Sequence, residues 1–425
     1  MPTHNLLDQK RIVLAVTGSI AVYKAVDLAS KLTQAGALVD VIMTESAQRF
    51  VAPITFQAVT GRAVYTDMWQ TDTGGGLPTH IAHVGLGEGA DLLAVVPATA
   101  NTLAKLSAGS ADDLLTVTAL AIRCPLLIAP AMDGGMYRHP ATQHSIATLR
   151  ERGAYLVPPD SGRFASGLVG EGRLPDTPTL IGHMRRVLGR DGALAGRHVV
   201  ISAGPTRESF DPVRFISNHS SGKQGYALAQ RALDVGAQVT LLSSVNLPAP
   251  VGAQVIPFES AQDLQTALMN ALTHDTGADA LIMAAAVGDF RPAQRATQKI
   301  KKGDDDAQMT IALARNPDLL KALHQARQQP QTFSAEVQAN LRRLRVVVGF
   351  AAESENLLTN AANKARAKGL EFIVANDISA QDAGFAVDDN RVLIIHRDGT
   401  QETFDLMSKA QVAAHIIERV ARLLD

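Results

Sequence analysis

The 425-residue sequence is poor in cysteine and in aromatic residues. It contains one cysteine, Cys124, and aromatic residues make up 4% of the chain. A single cysteine excludes a disulfide within one chain. So few aromatic rings argue against a surface that stacks the bases of single-stranded nucleic acid. We therefore expect no disulfide and no nucleic-acid partner.

An excess of either charge is also absent. The 40 lysines and arginines nearly balance the 41 aspartates and glutamates, which leaves a formal net charge of -1. Such a chain has no overall attraction for a polyanion or for an anionic membrane. Any site for a phosphate must therefore be local.

A long hydrophobic run is missing near the N-terminus as well. The first apolar stretch follows Arg11 and is soon interrupted by Lys24, which is too short a stretch for a signal peptide or a membrane-spanning helix. We therefore expect a cytoplasmic protein that has no membrane partner.

The sequence does contain a repeated alternation of short apolar runs and amphipathic segments. Apolar runs at 12–16 and 39–43 enclose a helical pattern at 22–32, and a similar unit begins at 198–202. This alternation predicts parallel sheets that are covered by helices. The Asp398-Gly399 pair within an apolar region predicts a hairpin at a sheet edge.

The length indicates two domains, because one hydrophobic core rarely supports 425 residues. Small and polar residues at 189–197 indicate a connector between them. We therefore predict an α/β protein with two doubly wound, mostly parallel-sheet domains, at 1–190 and 191–425.

Candidate ligand-binding residues follow the predicted strands of the first half. Gly18-Ser19 connects a strand to a helix, where backbone N–H groups favour a phosphate, although a lone Gly-Ser is more often an ordinary turn. Thr44 and Pro97-Ala-Thr-Ala-Asn101 end two later strands, where ligands gather in open α/β sheets. No G-x-G-x-x-G is present, so a mononucleotide is favoured over NAD.

Four motifs in this half are similar to those of the homo-oligomeric flavin-containing Cys decarboxylases. They are Thr17-Gly-Ser-Ile-Ala, His83 within Ile-Ala-His-Val-Gly-Leu, Pro97-Ala-Thr-Ala-Asn and Ala129-Pro-Ala-Met. The resemblance implies a flavodoxin-like fold, bound FMN and trimer packing. It places Gly18, Ser19 and Thr44 near the FMN phosphate and Thr99 and Asn101 along the flavin. It also implies that His83 is catalytic, whereas a lone histidine at a strand–loop edge is more often structural.

The chain departs from this family's pattern at two positions. Asp133 stands where the family usually has asparagine, and Ser166 stands where the family's flap carries a cysteine that donates a proton. A serine hydroxyl is a much weaker acid than a thiol. We expect Ser166 to replace the donor, in a glycine-rich stretch, 158–173, that reads as a mobile loop. The alternative is that this half is a non-catalytic FMN-binding scaffold or regulatory module.

Gly222-Lys223 matches part of a P-loop motif. The full motif is absent, because Ser217 stands at the position of the first glycine and Gln224 at that of the magnesium-binding Ser or Thr. The longer run 203–225 instead resembles the signature of the phosphopantothenate-cysteine ligases. Further matching motifs extend over nearly the whole second half. Together the two halves resemble the bifunctional enzymes of coenzyme A biosynthesis.

This resemblance implies a Rossmann-like ligase domain that uses CTP and Mg²⁺ and forms dimers. Arg214 and Asn218 would act on the carboxylate and the acyl-cytidylate, Asp289 would contact nucleotide or metal, and Lys299 would contact phosphate. The CTP site would be lined by Phe350, Lys364 and Lys368. The other motifs shared with the ligases contain the further candidate binding residues Ala284, Ala285, Arg315, Asn316 and Pro317. Without the resemblance, Lys364 and Lys368 would be interpreted as part of a solvated helix face. The run Lys299-Ile-Lys-Lys302 would be interpreted as a surface patch.

Overall fold

The computed structural model describes residues 5–69, 81–274, 277–301, 309–353, 363–377 and 389–425. The chain divides into two compact units, Met1–Gly189 and Arg190–Asp425.

The first unit is built on a six-stranded parallel sheet with the order β3-β2-β1-β4-β5-β6. The strands are β1 Arg11–Val16, β2 Leu38–Met43, β3 Val64–Tyr65, β4 Leu92–Ala98, β5 Leu126–Pro130 and β6 Tyr155–Leu156, and a separate antiparallel hairpin has β7 Asp160–Arg163 and β8 Val169–Arg173. The helices are α1 Val22–Gln34, α2 Glu45–Gln48, α3 Pro53–Thr60, α4 Ala82–Gly89, α5 Ala100–Ala108, α6 Leu114–Ala121, α7 Gly134–Arg138, α8 Pro140–Glu151 and α9 Thr177–Gly189.

Both faces of this sheet are buried. Leu14 of β1 packs into one apolar cluster with α1 and α9, whereas the adjacent Val13 packs into a second cluster with α4, α5 and α8. Successive strand residues point to opposite faces, so a strand that is covered on both sides reads as a continuous apolar run. The strand order reverses between β1 and β4, and ligands bind at such a reversal in doubly wound sheets.

The second unit contains an eight-stranded sheet with the order β13-β12-β9-β14-β17-β18-β19-β20. Its strands are β9 His198–Ala203, β12 Gln238–Ser243, β13 Ala253–Pro257, β14 Ala280–Met283, β17 Val346–Glu353, β18 Phe372–Asp377, β19 Asp389–His396 and β20 Gln401–Ser408. Two short antiparallel pairs comprise β10 Arg207–Ser209 with β11 Phe215–Ser217, and β15 Phe290–Pro292 with β16 Leu313–Arg315.

Its described helices are α10 Lys223–Asp234, α11 Ala261–Thr273, α12 Leu319–Gln328, α13 Ala335–Arg343 and the C-terminal helix Lys409–Leu424, with a 3₁₀ turn at Pro330–Thr332 and helical residues at 363–367. The hairpin predicted at Asp398-Gly399 is confirmed, because β19 and β20 pair antiparallel around it. The predicted fold class, two α/β domains with mostly parallel sheets, is confirmed.

A charged cluster joins the antiparallel edge to the C-terminal helix. Glu402 on β20 accepts hydrogen bonds from Arg419 Nε and His396 Nε2, each at 2.8 Å. Arg419 first, and His396 after it, lower the pKa of Glu402 from 4.5 to about 2, against the opposing effect of partial burial. The ionised carboxylate is therefore favoured by folding.

Glu402→Gln is expected to remove an acid-sensitive contribution to stability. Because folding lowers this pKa, the contribution is present above pH 4.5 and is lost as the pH falls toward 2. The Glu402 side chain is 39% exposed, so the loss near neutral pH should stay below about 1 kcal/mol. Thermal unfolding should show a difference in Tm between wild type and variant that shrinks in acid; a difference independent of pH would contradict this account.

Candidate functional site

The first candidate site lies at the carboxyl ends of β1, β2 and β4. Thr17 Oγ1 donates to the Pro97 carbonyl at 2.6 Å and accepts from the Thr99 N–H at 3.1 Å, which joins the end of β1 to the end of β4. A Cβ on Gly18 would lie 2.5 Å from the Ser46 Cβ. The loops after β1 and β2 thus approach each other so closely that position 18 requires glycine.

Hydroxyl side chains begin the helices at this edge. Ser19 Oγ accepts from the Ala21 N–H at 3.3 Å, at the start of α1. Thr44 caps α2 and Thr99 caps α5 through their hydroxyl oxygens. Asn101 lies in the first turn of α5 and is exposed. The structure therefore brings Gly18, Ser19, Thr44, Thr99 and Asn101 to one edge of the sheet, and this donor set fits a phosphate-bearing mononucleotide.

His83 is the second residue of α4, rather than a residue at a strand–loop edge as the sequence suggested. Its ring nitrogen Nδ1 is buried and has no hydrogen-bond partner among the residues that the structure describes. A buried polar atom without a partner is uncommon, so it indicates that another group binds there. The geometry is therefore consistent with a role for His83 in chemistry.

The stretch predicted to be a mobile loop instead forms the hairpin of β7 and β8. Sequence reasoning missed this hairpin because its glycines disfavour regular strands. The hairpin is tied to the sheet, since the Met132 N–H donates to the Gly172 carbonyl at 2.9 Å. A Cβ on Gly172 would lie 2.4 Å from the Met132 oxygen, which explains the need for glycine at this contact.

The two residues that depart from the family pattern contact each other. Ser166 Oγ donates to Asp133 Oδ2 at 2.8 Å, while Asp133 Oδ1 accepts from the Gly135 N–H at 3.1 Å. The carboxylate is thus held on both oxygens, at the start of α7 and at the tip of the hairpin. A carboxylate at this position would repel the carboxylate of a substrate unless it were turned away, and here it is directed toward Ser166.

The second unit contains a cavity of about 660 Å³ at the carboxyl ends of β14 and β17. Its walls come from the turn that precedes α10, the loop after β14, the start of α12 and the helical residues near 364. The predicted site residues that line it are Asn218, Ala284, Ala285, Asp289, Asn316, Pro317, Phe350, Lys364 and Lys368.

Hydrogen bonds between side chains and the backbone shape the wall formed by the loop after β14. Asn218 Nδ2 donates to the Ala286 carbonyl at 3.2 Å, and Asn316 Nδ2 donates to the Gly288 carbonyl at 2.8 Å. Thr206 Oγ1 accepts from the Gly288 N–H at 2.9 Å. The loop that carries Asp289 is therefore held from three sides, which orients its polar groups.

Four lysines line the cavity: Lys223, Lys364, Lys368 and Lys409. Lys368 Nζ lies 3.0 Å from Asp318 Oδ2. Burial alone would raise the pKa of Asp318, but hydrogen bonds from the Lys321 N–H and from Lys368 hold that pKa below its usual value. A cavity with four cations suits a polyphosphate.

Sequence reasoning missed two of these lysines. Lys409 is only 7% exposed and lies just after the capping residue of the last helix, and no motif identified it. Lys223 was noticed in the rejected P-loop pattern. The structure shows that the turn before it still faces the cavity, with Gly222 at the N-cap of α10 and a φ of 74°.

Three predicted site residues do not line the cavity. Arg214 pairs with the buried Asp211, Lys299 is exposed, and Arg315 is exposed on β16, where its carbonyl accepts from Arg291 at 2.6 Å. Lys302 lies outside the described residues. Their functional roles stay predictions, because a cavity within one chain does not test them.

In the described part of the chain, no three His, Cys, Asp or Glu side chains lie close enough together to hold a metal ion. Asp289, the predicted metal contact, lines the cavity next to Gly288, and Asp318 lines it as well. No helix in the described ranges is both long and apolar enough to cross a membrane.

Comparison with known protein families gives two matches along the chain. Residues 2–188 match the family model described as Flavoprotein. Residues 194–424 match the model described as DNA/pantothenate metabolism flavoprotein C-terminal domain.

Individual relatives match over almost the full length. The coenzyme A biosynthesis bifunctional protein CoaBC of Bacillus subtilis is 43% identical over 422 residues, which covers 98% of each chain. The protein of that name from Mycobacterium tuberculosis is 43% identical over 425 residues, covering 98% of this chain and 97% of that one. The solved FMN-dependent cysteine decarboxylase SpaF is 36% identical, covers 43% of this chain and 97% of that one, and has a TM-score of 0.37.

Proposed function

Because the chain belongs to the family of bifunctional coenzyme A biosynthesis proteins, we propose that its two units catalyse consecutive reactions. The second unit joins 4'-phosphopantothenate to cysteine with CTP, through an acyl-cytidylate, and releases CMP and diphosphate. The first unit decarboxylates the resulting 4'-phosphopantothenoylcysteine to 4'-phosphopantetheine with FMN. The observation that carries this proposal is that a flavoprotein model and a pantothenate-metabolism model each match one compact unit.

The cavity supports the ligase assignment through its charge. A carboxylate acylates an amine poorly until it is linked to a phosphate leaving group, so the enzyme must neutralise a triphosphate. The cavity lysines supply that charge, and Asp289 would hold Mg²⁺ together with the phosphates, which is how Mg²⁺ is commonly bound. The neutral amide of Asn218 is suited to hold the acyl-cytidylate.

The strand ends of the first unit support FMN as its cofactor. Gly18, Ser19 and Thr44 would hold the phosphate, and Thr99 and Asn101 would lie along the ring system. FMN, when bound, accepts electrons from the substrate thiol and later returns them. His83 would move a proton near the reacting carbon, since an imidazole exchanges protons near neutral pH.

We assign the final protonation to the Asp133 and Ser166 pair. Ser166 Oγ would give its proton to the substrate carbon, and the alkoxide that remains would take a proton from water. Asp133 Oδ2 accepts the hydrogen bond from Ser166 Oγ at 2.8 Å and holds the hydroxyl in place. The alternative, a non-catalytic scaffold, is favoured by the same two departures from the family pattern.

Anaerobic incubation with 4'-phosphopantothenoylcysteine, followed by mass spectrometry, separates these two functions. Accumulation of 4'-phosphopantetheine by flavin-loaded protein would support the decarboxylase. Bound flavin with intact substrate would support the scaffold, whereas a product that stops at the enethiol would show an incomplete catalyst; in either case only the ligase assignment survives.

Ser166→Ala is expected to slow formation of 4'-phosphopantetheine by about 100-fold, the usual range for loss of a general acid, and Asp133→Asn to slow it less, because asparagine can still accept a hydrogen bond from Ser166. Asp133→Asn preserves size and the contact with the Gly135 N–H, so flavin binding should be retained. Ser166→Cys, which restores a more acidic donor, should retain activity. Wild-type rates in both Ser166→Ala and Asp133→Asn would exclude the pair as the donor.

CTP preference is tested by measuring diphosphate release with 4'-phosphopantothenate, cysteine and either CTP or ATP. Faster ligation with CTP is expected, and equal rates with ATP would contradict the assignment. Omission of Mg²⁺ should stop the reaction, because the triphosphate then lacks its counter-ion.

We also propose that the protein acts as a homo-oligomer, with trimeric flavin units and dimeric ligase units. Large apolar side chains are exposed in the single chain, and where such side chains form a contiguous patch, the patch is typical of a surface that binds another protein. In the first unit they include Ile20, Tyr23, Ile54 and Trp69, and in the second unit Val213, Phe215, Phe290 and Leu313. Light scattering of the full chain would test the stoichiometry.

A further inference from the structure

One buried carboxylate organises the loop between β10 and β11. Asp211 is 0% exposed and accepts hydrogen bonds from the Val213 and Arg214 backbone N–H groups, each at 2.8 Å. The Arg214 side chain folds back onto it, with Nε at 2.9 Å and Nη2 at 2.6 Å from Asp211 Oδ2. These contacts fix both the backbone of the loop and the direction of the Arg214 guanidinium.

The same carboxylate also holds a segment that is distant in sequence. The Ile300 N–H donates to Asp211 Oδ2 at 3.2 Å, and Arg214 Nη2 donates to the Ile300 carbonyl at 2.9 Å. Ile300 lies between Lys299 and Lys301. Asp211 therefore connects the loop that carries Arg214 to the segment that carries two lysines.

This arrangement is not needed to complete a hydrophobic core. The apolar clusters on the two faces of the large sheet contain no residue of 210–217. The Arg214 side chain is 36% exposed, and Val213 beside it is 59% exposed. A carboxylate buried beneath a surface loop requires several hydrogen bonds to offset its desolvation, so its contribution to stability is modest. A role in orienting the loop explains it better.

We propose that Asp211 is a positioning residue for the ligase reaction, which holds Arg214 and Lys299 in place for the anionic reactants. The inference rests on the proposed function. Two cations on unconnected segments would lose conformational freedom when a substrate binds, and a preformed arrangement removes that loss. Asp211 occupies the Nε and Nη2 edge of Arg214, so the opposite edge, with Nη1, would meet the substrate.

Four variants of the full chain test this role: Asp211→Asn, Arg214→Gln, the double variant, and Asp279→Asn as a matched control. Asp279 is also a buried carboxylate, 3% exposed, and accepts from Arg343 Nη2 at 2.9 Å in the same unit. It does not line the cavity. Each variant is measured for Tm and for kcat and KM in CTP-dependent diphosphate release with 4'-phosphopantothenate and cysteine.

Asp211→Asn should lower kcat/KM by about tenfold or more, and Arg214→Gln should lower it by at least as much. The double variant should lose no more activity than Arg214→Gln alone, because the effects of residues that act as a unit are not additive. Asp279→Asn should lower Tm and leave kcat/KM nearly unchanged. Intact kcat/KM in Asp211→Asn, or effects that add in the double variant, would overturn the positioning role. A wild-type protein unable to ligate would overturn the proposed function as well.

Discussion

Replacing His83 with alanine is expected to abolish conversion of 4'-phosphopantothenoylcysteine to 4'-phosphopantetheine, while bound flavin and the ligase reaction are retained. A positioned general acid or base contributes about 10²–10⁴-fold to a rate, and the loss should fall in that range. The physical basis is the buried Nδ1, which has no hydrogen-bond partner among the described residues, so no contact within them accounts for its burial. The measurement is product formation from supplied substrate, with flavin content read from the visible spectrum.

His183 provides the matched control for this experiment. It is a buried histidine in the same unit, but its Nδ1 lies 2.8 Å from the Tyr155 hydroxyl, so its hydrogen bond is made within the protein. Burial first, and the Arg186 charge after it, lower the pKa of His183, which keeps the ring neutral. His183→Ala should lower Tm and spare decarboxylation per folded, flavin-loaded molecule. Equal activity losses in both variants would contradict a specific role for His83.

The second large effect is expected for Lys368→Met in the ligase reaction. The ammonium lines the cavity, and loss of one cation that stabilises transferring phosphate typically lowers the rate about 10²–10³-fold. The KM for CTP should rise, because the triphosphate loses a partner in its ground state as well. Decarboxylation of supplied substrate should be unchanged, since that reaction belongs to the other unit. Both quantities are measured on the same preparation.

Lys321→Met is the control for Lys368→Met. Lys321 lies on α12 near the cavity, but its side chain is exposed, and its backbone N–H donates to Asp318 Oδ1 at 3.1 Å. It does not line the cavity. A rise in the KM for CTP in both variants would show that general surface charge matters, rather than the position of Lys368.

The local elements of the fold could be predicted from the sequence because their signals are local. The alternation of apolar runs with helical periodicity predicted β1, α1 and β2, and Asp398-Gly399 predicted the β19–β20 hairpin. Motifs that follow strands also predicted which polar residues would meet, since the carboxyl ends of parallel strands share one edge. Gly18, Thr44 and Thr99 are therefore grouped as the sequence indicated.

The arrangement of the site depended on contacts between residues far apart in the chain. Nothing in the sequence paired Asp133 with Ser166, which are 33 residues apart, or joined Asp211 to Ile300, which are 89 apart. The glycine-rich hairpin was missed because tertiary contacts, and not local preference, stabilise its strands.

Strand periodicity thus determined the fold class, and motifs that resemble two known families indicated the chemistry, because both signals lie in short segments of sequence. Only the tertiary structure determined that Lys409 lines the cavity and that the Arg214 side chain is hydrogen-bonded to Asp211 instead of lining it. It also determined that Asp133 and Ser166 form a hydrogen-bonded pair. These outcomes depend on burial and on hydrogen bonds across the fold, and the free energy of such contacts exists only once distant segments have been packed together.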